Sequence, residues 1–239
     1  MTAVPDGGVR PRERASEAVP MPAEVFYARL LAIAVRHAAG SGPPPPRVRL
    51  RTEHGRIDPM PLERWLAPTT PVDDRIVARV AAPVLDVGCG PGRLLEALEA
   101  ANKPALGVDL VPAAVTIARS RGGQVVEGSI FSEVPGSGSW ATALLLDGNI
   151  GIGGWPAALL DRVCGLLRPG GEAIVEVDPP GSPTRMANVR IESDRAVSEW
   201  FPWAHVAADA MTPIARQADM RELETFEDEG RWFSRLVRN

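Results

Sequence analysis

Only two cysteines, Cys89 and Cys164, occur in the 239 residues, so a multi-disulfide scaffold is excluded and a reducing compartment suffices. No run approaches the ~18 apolar residues of a membrane span. Nothing near Met1 combines a basic segment, an apolar core and a small-residue cleavage site. The expectation is a cytoplasmic chain without membrane association. Positive charge is not in excess either: 26 Lys and Arg against 30 Asp and Glu give a net charge of −4. That balance supplies no global field for a phosphate backbone and argues against a nucleic-acid partner. No Cys/His spacing suggests a metal-ligand set. Gly and Pro, at 23 and 24, form about a fifth of the chain, below the roughly 25–30% at which composition alone signals disorder. With 45% hydrophobic residues, the chain can bury one sizeable core with a small appendage.

Residues 1–20 mix Pro, Gly and both charge signs with few large apolar side chains, which predicts a mobile tail. Residues 21–80 read as a small N-terminal cap. A helix over 23–39 carries Phe26, Leu30, Leu31 and Ile33 on its buried side. Four prolines, Pro43 to Pro46, forbid its continuation. Val48 to Thr52 then alternates like a strand and turns through Glu53-His-Gly-Arg towards Ile57, a hairpin pattern, before a helix over 73–80.

From residue 81 the pattern becomes that of one α/β domain. Strands are predicted at 84–87, 105–109, 124–127, 141–147 and 172–178, with helices near 92–101, 111–121 and 156–168. Two further strands, 220–227 and 231–237, flank Asp228-Glu-Gly230, whose glycine allows a tight antiparallel reversal. Between these blocks, 185–218 reads as an insertion with a strand over 189–193, an aromatic cluster (Trp200, Phe201, Trp203) and a helix.

The most informative segment is Val84-Leu-Asp-Val-Gly-Cys-Gly-Pro-Gly-Arg-Leu-Leu. Glycines at alternate positions let the backbone turn sharply and approach a ligand, and the following helix offers free N–H groups. The dinucleotide spacing G-x-G-x-x-G fails, because its sixth position would be Arg93 counted from Gly88, or Leu95 counted from Gly90. The D-x-G-x-G-x-G form instead resembles the class I S-adenosylmethionine (SAM)-dependent methyltransferases, over about residues 82–180. Gly107-Val-Asp109-Leu110 at the end of the second strand, Glu127-Gly-Ser129-Ile130-Phe after the third, and Leu167-Arg-Pro-Gly-Gly171 before the fifth agree in order and spacing.

The resemblance implies a Rossmann-like, seven-stranded, mostly parallel sheet with an antiparallel C-terminal hairpin and helices on both faces. It also implies SAM as cofactor and S-adenosyl-L-homocysteine (SAH) as product. Gly88, Cys89, Gly90 and Gly92 would line the methionine portion, and Asp86 would help fix its amino end. Asp109, with Leu110 beside it, would hold the ribose. Ser129 and Ile130 would lie near adenine, although Ser129 stands where an Asp often does.

The acceptor side of such a site lies beyond the C-terminal ends of the strands. There Leu146-Asp-Gly-Asn-Ile-Gly-Ile-Gly-Gly154 places Asp147 and Asn149 at the mouth of the cleft. Asp147 is a candidate base beside the methyl, with ordering of the glycine loop or contact with the SAM ammonium as the competing role. The D/N/S-P-P-aromatic motif of amino-directed nucleic-acid methyltransferases is missing here. Asp178-Pro-Pro-Gly, after the fifth strand, reads as a loop. His205 follows the aromatic cluster and is a second candidate base, whereas His37 and His54 read as surface residues. Trp200, Phe201 and Trp203 suit either an apolar pocket wall or packing of the insertion, and Tyr27 suits a helical lid. The expectation is methyl transfer to an O, N or C atom of a small molecule by a monomer or homodimer. A same-fold enzyme with other SAM chemistry and a non-catalytic SAM-binding partner are the alternatives.

Overall fold

A computed structural model describes residues 19–239. The tail expected over 1–20 lies, up to residue 18, outside the described residues. Helix α1 (Ala23–Ala38) precedes a short hairpin, β1 (Arg49–Thr52) and β2 (Ile57–Pro59). Helices α2 (Leu62–Leu66) and α3 (Pro71–Arg79) lead into β3 (Val84–Val87), α4 (Arg93–Ala100), β4 (Ala105–Asp109), α5 (Pro112–Ser120) and β5 (Val125–Glu127). Then come β6 (Trp140–Leu145), a 3₁₀ segment (Asn149–Gly154), α6 (Pro156–Leu166) and β7 (Leu167–Val177). The chain closes with β8 (Arg185–Glu192), β9 (Phe201–His205), α7 (Met211–Gln217), β10 (Met220–Asp228) and β11 (Arg231–Arg238).

Seven strands form the main sheet in the order β10-β11-β7-β6-β3-β4-β5. The five strands from β7 to β5 run parallel, and β11 and β10 close the sheet antiparallel. This is the expected fold class. The central strands are buried along their whole length, Val84-Leu-Asp-Val87 and Trp140 to Leu145 alike, as a parallel sheet covered on both faces requires. Successive side chains point to opposite faces. Leu85 and Leu145 meet Leu159, Leu160 and Val163 of α6 on one side. Val84 and Leu144 meet Leu98, Ile76 and Phe233 on the other. Helix α3 begins with a reciprocal cap between Thr70 and Asp73, two residues before the sequence-based start at 73. Strand β7 starts at Leu167 rather than Glu172, taking the Pro-Gly-Gly segment into a pairing with β6 that shifts register between Trp140 and Thr142.

A second, antiparallel sheet has the order β2-β1-β8-β9. It joins the N-terminal hairpin to the 185–218 segment, through Arg49 opposite Glu192 and Thr52 opposite Val189. The aromatic stretch is itself strand β9, and the strand read as 189–193 extends back to Arg185. Leu50, Ile191 and Phe201 of this sheet pack with Phe26, Leu30 and Leu31 of α1 and with Val111 and Ala114 at the start of α5. The cap is thereby fixed over the C-terminal ends of the parallel strands, where the glycine loop opens. Among the described residues, no helix is long and apolar enough to cross a membrane.

Candidate functional site at the C-terminal ends of the parallel strands

Beyond Val87 the chain turns through Gly88, Gly90 and Gly92, all with positive φ (69°, 53° and 81°), and enters α4 at Arg93. Gly92 is required twice over. Its φ disfavours L side chains, and a Cβ there would lie 2.7 Å from the Ala118 Cβ. Asp109 fixes this loop: Oδ2 accepts from Gly90 N–H at 2.8 Å and Oδ1 from Val111 N–H at 2.8 Å. Burial pushes its carboxyl up while the two backbone bonds pull the other way. Each oxygen retains lone-pair capacity, so the carboxylate can accept two more hydrogens. Cys89 turns inward against the Gly107 backbone, where a Cβ would come within 2.5 Å of its sulfur. Burial raises its thiol far above the ordinary range, and it serves as packing.

Asp86 is buried on β3, and its Oδ2 has no hydrogen-bond partner. Burial pushes its carboxyl up to about 7. Arg93 opposes that shift, and the nearby Asp147 and Asp109 charges add to it. Arg64 of α2 reaches over the same region, with Nη2 2.9 Å from Asp147 Oδ1. Its Nε and Nη2 are buried without a well-aligned acceptor. Tyr27 of α1 brings its hydroxyl to 3.7 Å from where a Gly90 Cβ would stand, and its ring packs edge-on to Trp65 at 5.8 Å. Unsatisfied buried polar atoms are costly, and here they collect around the glycine loop: an orphan Asp86 oxygen, the Arg64 Nε and a half-used Asp109. That set complements a ligand carrying an ammonium, a carboxylate and a diol, so the residues present fit SAM.

The loop after β6 braces the cradle from the other side. Asn149 Nδ2 donates to the Val87 and Gly88 carbonyls at 2.8 and 3.0 Å. Asp147 has a left-handed backbone (φ 56°), and its N–H donates to Glu176 Oε2 at 2.6 Å. Its side chain accepts from Arg93 Nη2 at 2.5 Å and faces Arg64. Arg93 also pairs with Asp73, and Arg231 spans Asp73 and Glu176 at 2.7 and 2.6 Å. Asp147 thus belongs to a chain of ion pairs that ties α3, α4 and β11 to the loop.

In the turn after β5, Ser129 Oγ accepts from Phe131 N–H at 3.2 Å. The Ile130 side chain is buried, and its carbonyl accepts from Arg162 Nε at 2.9 Å. The large apolar side chains left in solvent nearby are Leu110 and Phe131, 58% and 48% exposed. Phe131 was not singled out from the sequence, although an aromatic residue beside Ile130 was a readable signal.

His205 ends β9 beside the end of β7. Its Nδ1 is 3.4 Å from Asp178 Oδ2, and its Nε2, unpaired, is 3.8 Å from Asp58 Oδ2. The contact with His205 holds the Asp178 carboxyl below its usual range. A cavity of about 90 Å³ opens here, lined by Gly148, Ile150, Glu176, Asp178, Ala204 and His205. Of the aromatic trio, Phe201 and Trp203 pack edge-on at 6.1 Å, Phe201 joining the α1 cluster and Trp203 wedging against Gly151, while Trp200 lies outside under Arg190. His37 and His54 are exposed. A wider groove of about 340 Å³ lies at the opposite end of the sheet, lined by Glu99, Lys103 and Gln124 among others. It is remote from the glycine loop.

Residues 84–171 match the family described as methyltransferase domain. A comparison with curated protein sequences finds no match. Among solved structures, the chain is similar to a SAM-dependent methyltransferase from Bacteroides fragilis in complex with SAH. That match has 19% identity and a TM-score of 0.73, covering 93% of this chain and 99% of that one. It is also similar to the 1,6-didemethyltoxoflavin-N1-methyltransferase of Burkholderia thailandensis, at 18% identity and a TM-score of 0.55 with 92% of each chain covered. The amino pentose methyltransferase CalS10 of Micromonospora echinaspora matches at 20% identity and a TM-score of 0.51, over 70% of this chain and 89% of that one. The protein has the fold of the class I SAM-dependent methyltransferases, and its residues 84–171 match the methyltransferase domain model.

Proposed function

We propose that the protein transfers the methyl group of SAM to a small-molecule acceptor, releasing SAH. The observation that carries this reading is the orphan Asp86 oxygen and the unpaired Arg64 Nε near a glycine loop that Asp109 holds open. Asp109 takes the ribose hydroxyls on its remaining lone pairs. Asp86 faces the ammonium and Arg64 the carboxylate. Leu110 and Phe131 flank the adenine, with Ser129 and Ile130 shaping the turn beneath it. Tyr27 and Trp65 close over the methionine portion and exclude water.

When bound, SAM supplies a methyl group already activated by its sulfonium, so alignment and desolvation are the main tasks left to the protein. The acceptor approaches from the His205 cavity, whose small volume suits one end of a small molecule. Asp178 holds the Nδ1–H of His205, leaving the Nε2 lone pair for the acceptor proton. For a hydroxyl acceptor, His205 Nε2 would take the proton released as the acceptor received the methyl that bound SAM would supply. Asp147, its oxygens committed to Arg93 and Arg64, acts as the brace of the Gly148 bend. The two free cysteines, both buried, accord with a cytoplasmic location.

Two outcomes test this assignment. His205→Gln lowers turnover by about 100-fold for a hydroxyl acceptor while SAM affinity holds. Wild-type turnover in that variant would remove His205 from the chemistry. Asp86 sets a pH dependence. Its carboxyl is raised by burial to about 7, so below that pH the free protein carries it protonated, and binding an ammonium there requires ionisation. Affinity for SAH therefore rises as pH increases through about 7, and falls by about tenfold per unit below it. Calorimetry at several pH values checks this, with Asp86→Asn flattening the profile apart from the amine's own titration.

A further inference from the structure

Arg185 opens β8 directly opposite His205 on β9. Its Nη1 donates to the Pro183 carbonyl at 3.0 Å. Its Nε and Nη2, the two nitrogens of the side-on edge, are buried without a hydrogen-bond partner. The nearest carboxylate is Asp58, whose Oδ2 stands 3.7 Å from Nη2, beyond bonding distance. Asp58 is held by another residue: Arg56 Nε donates to both its oxygens, at 2.8 and 3.1 Å. Asp178 has His205 Nδ1 as its neighbour. Within this cluster Arg56 holds Asp58 and His205 Nδ1 faces Asp178, so both carboxylates lie near Arg185 and neither hydrogen-bonds its Nε–Nη2 edge. A buried guanidinium edge with two unmet N–H groups is costly unless something accepts from it.

The two parallel N–H groups of that edge match the spacing of two oxygens on one carboxylate or phosphate, whereas a lone hydroxyl satisfies one of them. We propose that Arg185 Nε and Nη2 anchor an oxyanion, carboxylate or phosphate, carried by the acceptor, with the group to be methylated on neighbouring atoms within reach of His205 Nε2. The cross-strand pairing of Arg185 and His205 sets that short separation. Arg185 is then the residue that selects the acceptor class. The inference rests on the methyl-transfer reading above and specifies the substrate of the same site.

The test splits a small-molecule extract on an anion exchanger into a retained and a flow-through pool, and incubates each with the full chain and methyl-labelled SAM. Label moves to acceptors of the retained pool, and Arg185→Gln reduces that labelling at least about tenfold at limiting acceptor while SAM affinity is unchanged. Phosphatase treatment of the extract before the split distinguishes the sources: a carboxylate acceptor stays in the retained pool, and a phosphate acceptor moves to the flow-through. Label confined to acceptors of the untreated flow-through overturns the proposal, as does wild-type labelling by Arg185→Gln. Label in neither pool overturns methyl transfer itself. The anion site is then read separately, from the melting temperature of the SAH-saturated protein with benzoate, phosphate and neutral benzamide as probes. A rise with either anion that is absent with benzamide and lost in Arg185→Gln supports the site. Equal effects in both proteins, or no effect of either anion, overturn it.

Discussion

Asp109→Ala lowers the affinity for SAH by about 100-fold, read by calorimetric titration. The substitution removes more than a ribose contact. Both carboxylate oxygens hold backbone N–H groups, one from Gly90 inside the glycine loop and one from Val111 at the start of α5. Their loss leaves two part-buried donors unpaired and frees the bend of the glycine loop. Asp109→Asn retains one acceptor oxygen and falls between wild type and Ala. An Asp109→Ala protein that bound SAH as tightly as wild type would contradict both the ribose assignment and the role of Asp109 in holding the loop.

Asp73→Ala destabilises the fold by about 3–5 kcal/mol, because it breaks a buried ion-pair chain and leaves guanidinium groups without their partner. Asp73 is 0% exposed and Arg93 is 4% exposed. Besides Arg93, Asp73 accepts from Arg231 at 2.7 Å and from Thr70 N–H at 2.9 Å in the cap of α3. Burial pushes its carboxyl up, but Arg231, Thr70 and Arg93 together outweigh that and bring it down to about 2, from 3.8. A depressed carboxylate stabilises the fold above its unfolded value, and that contribution disappears as pH falls through about 2. Denaturant melts at neutral pH therefore show a lower midpoint in Asp73→Ala with an unchanged slope, and the gap to wild type closes in strong acid. A loss below about 1 kcal/mol at neutral pH would contradict the weight placed on this network. Since Arg93 also holds Asp147, the same variant loosens the loop after β6.

What could be read from the sequence was what the chain encodes locally. Val84 to Leu95 writes strand, glycine turn and helix in consecutive residues, and Asp109 follows at a fixed distance on the next strand. The parallel core and the closing hairpin were visible for the same reason. The second sheet was not, since its pairing of Thr52 with Val189 joins distant segments through backbone bonds that carry no side-chain signature. Strand β9 was hidden as well, because Pro202 breaks the pattern of Phe201 to His205, and an edge strand is where proline is tolerated.

The site divides in the same way. Asp86, Gly88, Gly90, Gly92 and Asp109 come together around one loop, as the motif spacing suggested. Arg64, Asp58, Asp178 and Arg185 gain their meaning from the cap sheet lying over the strand ends, and in the sequence each is one charged residue among many. Asp147 shows how tertiary contacts choose between readings of a residue. Its position after the fourth parallel strand left open a base, an ordering role in the glycine loop or contact with the SAM ammonium, and its neighbours Arg93, Arg64 and Glu176, none adjacent in sequence, favour the ordering role.

The most direct test of methyl transfer is to incubate the purified chain with methyl-labelled SAM and an unfractionated small-molecule extract, followed by mass spectrometry. The account predicts formation of SAH together with a metabolite heavier by one labelled methyl group, both absent without protein. SAM bound by the protein and recovered with its methyl in place, across polar and apolar extracts, would contradict it.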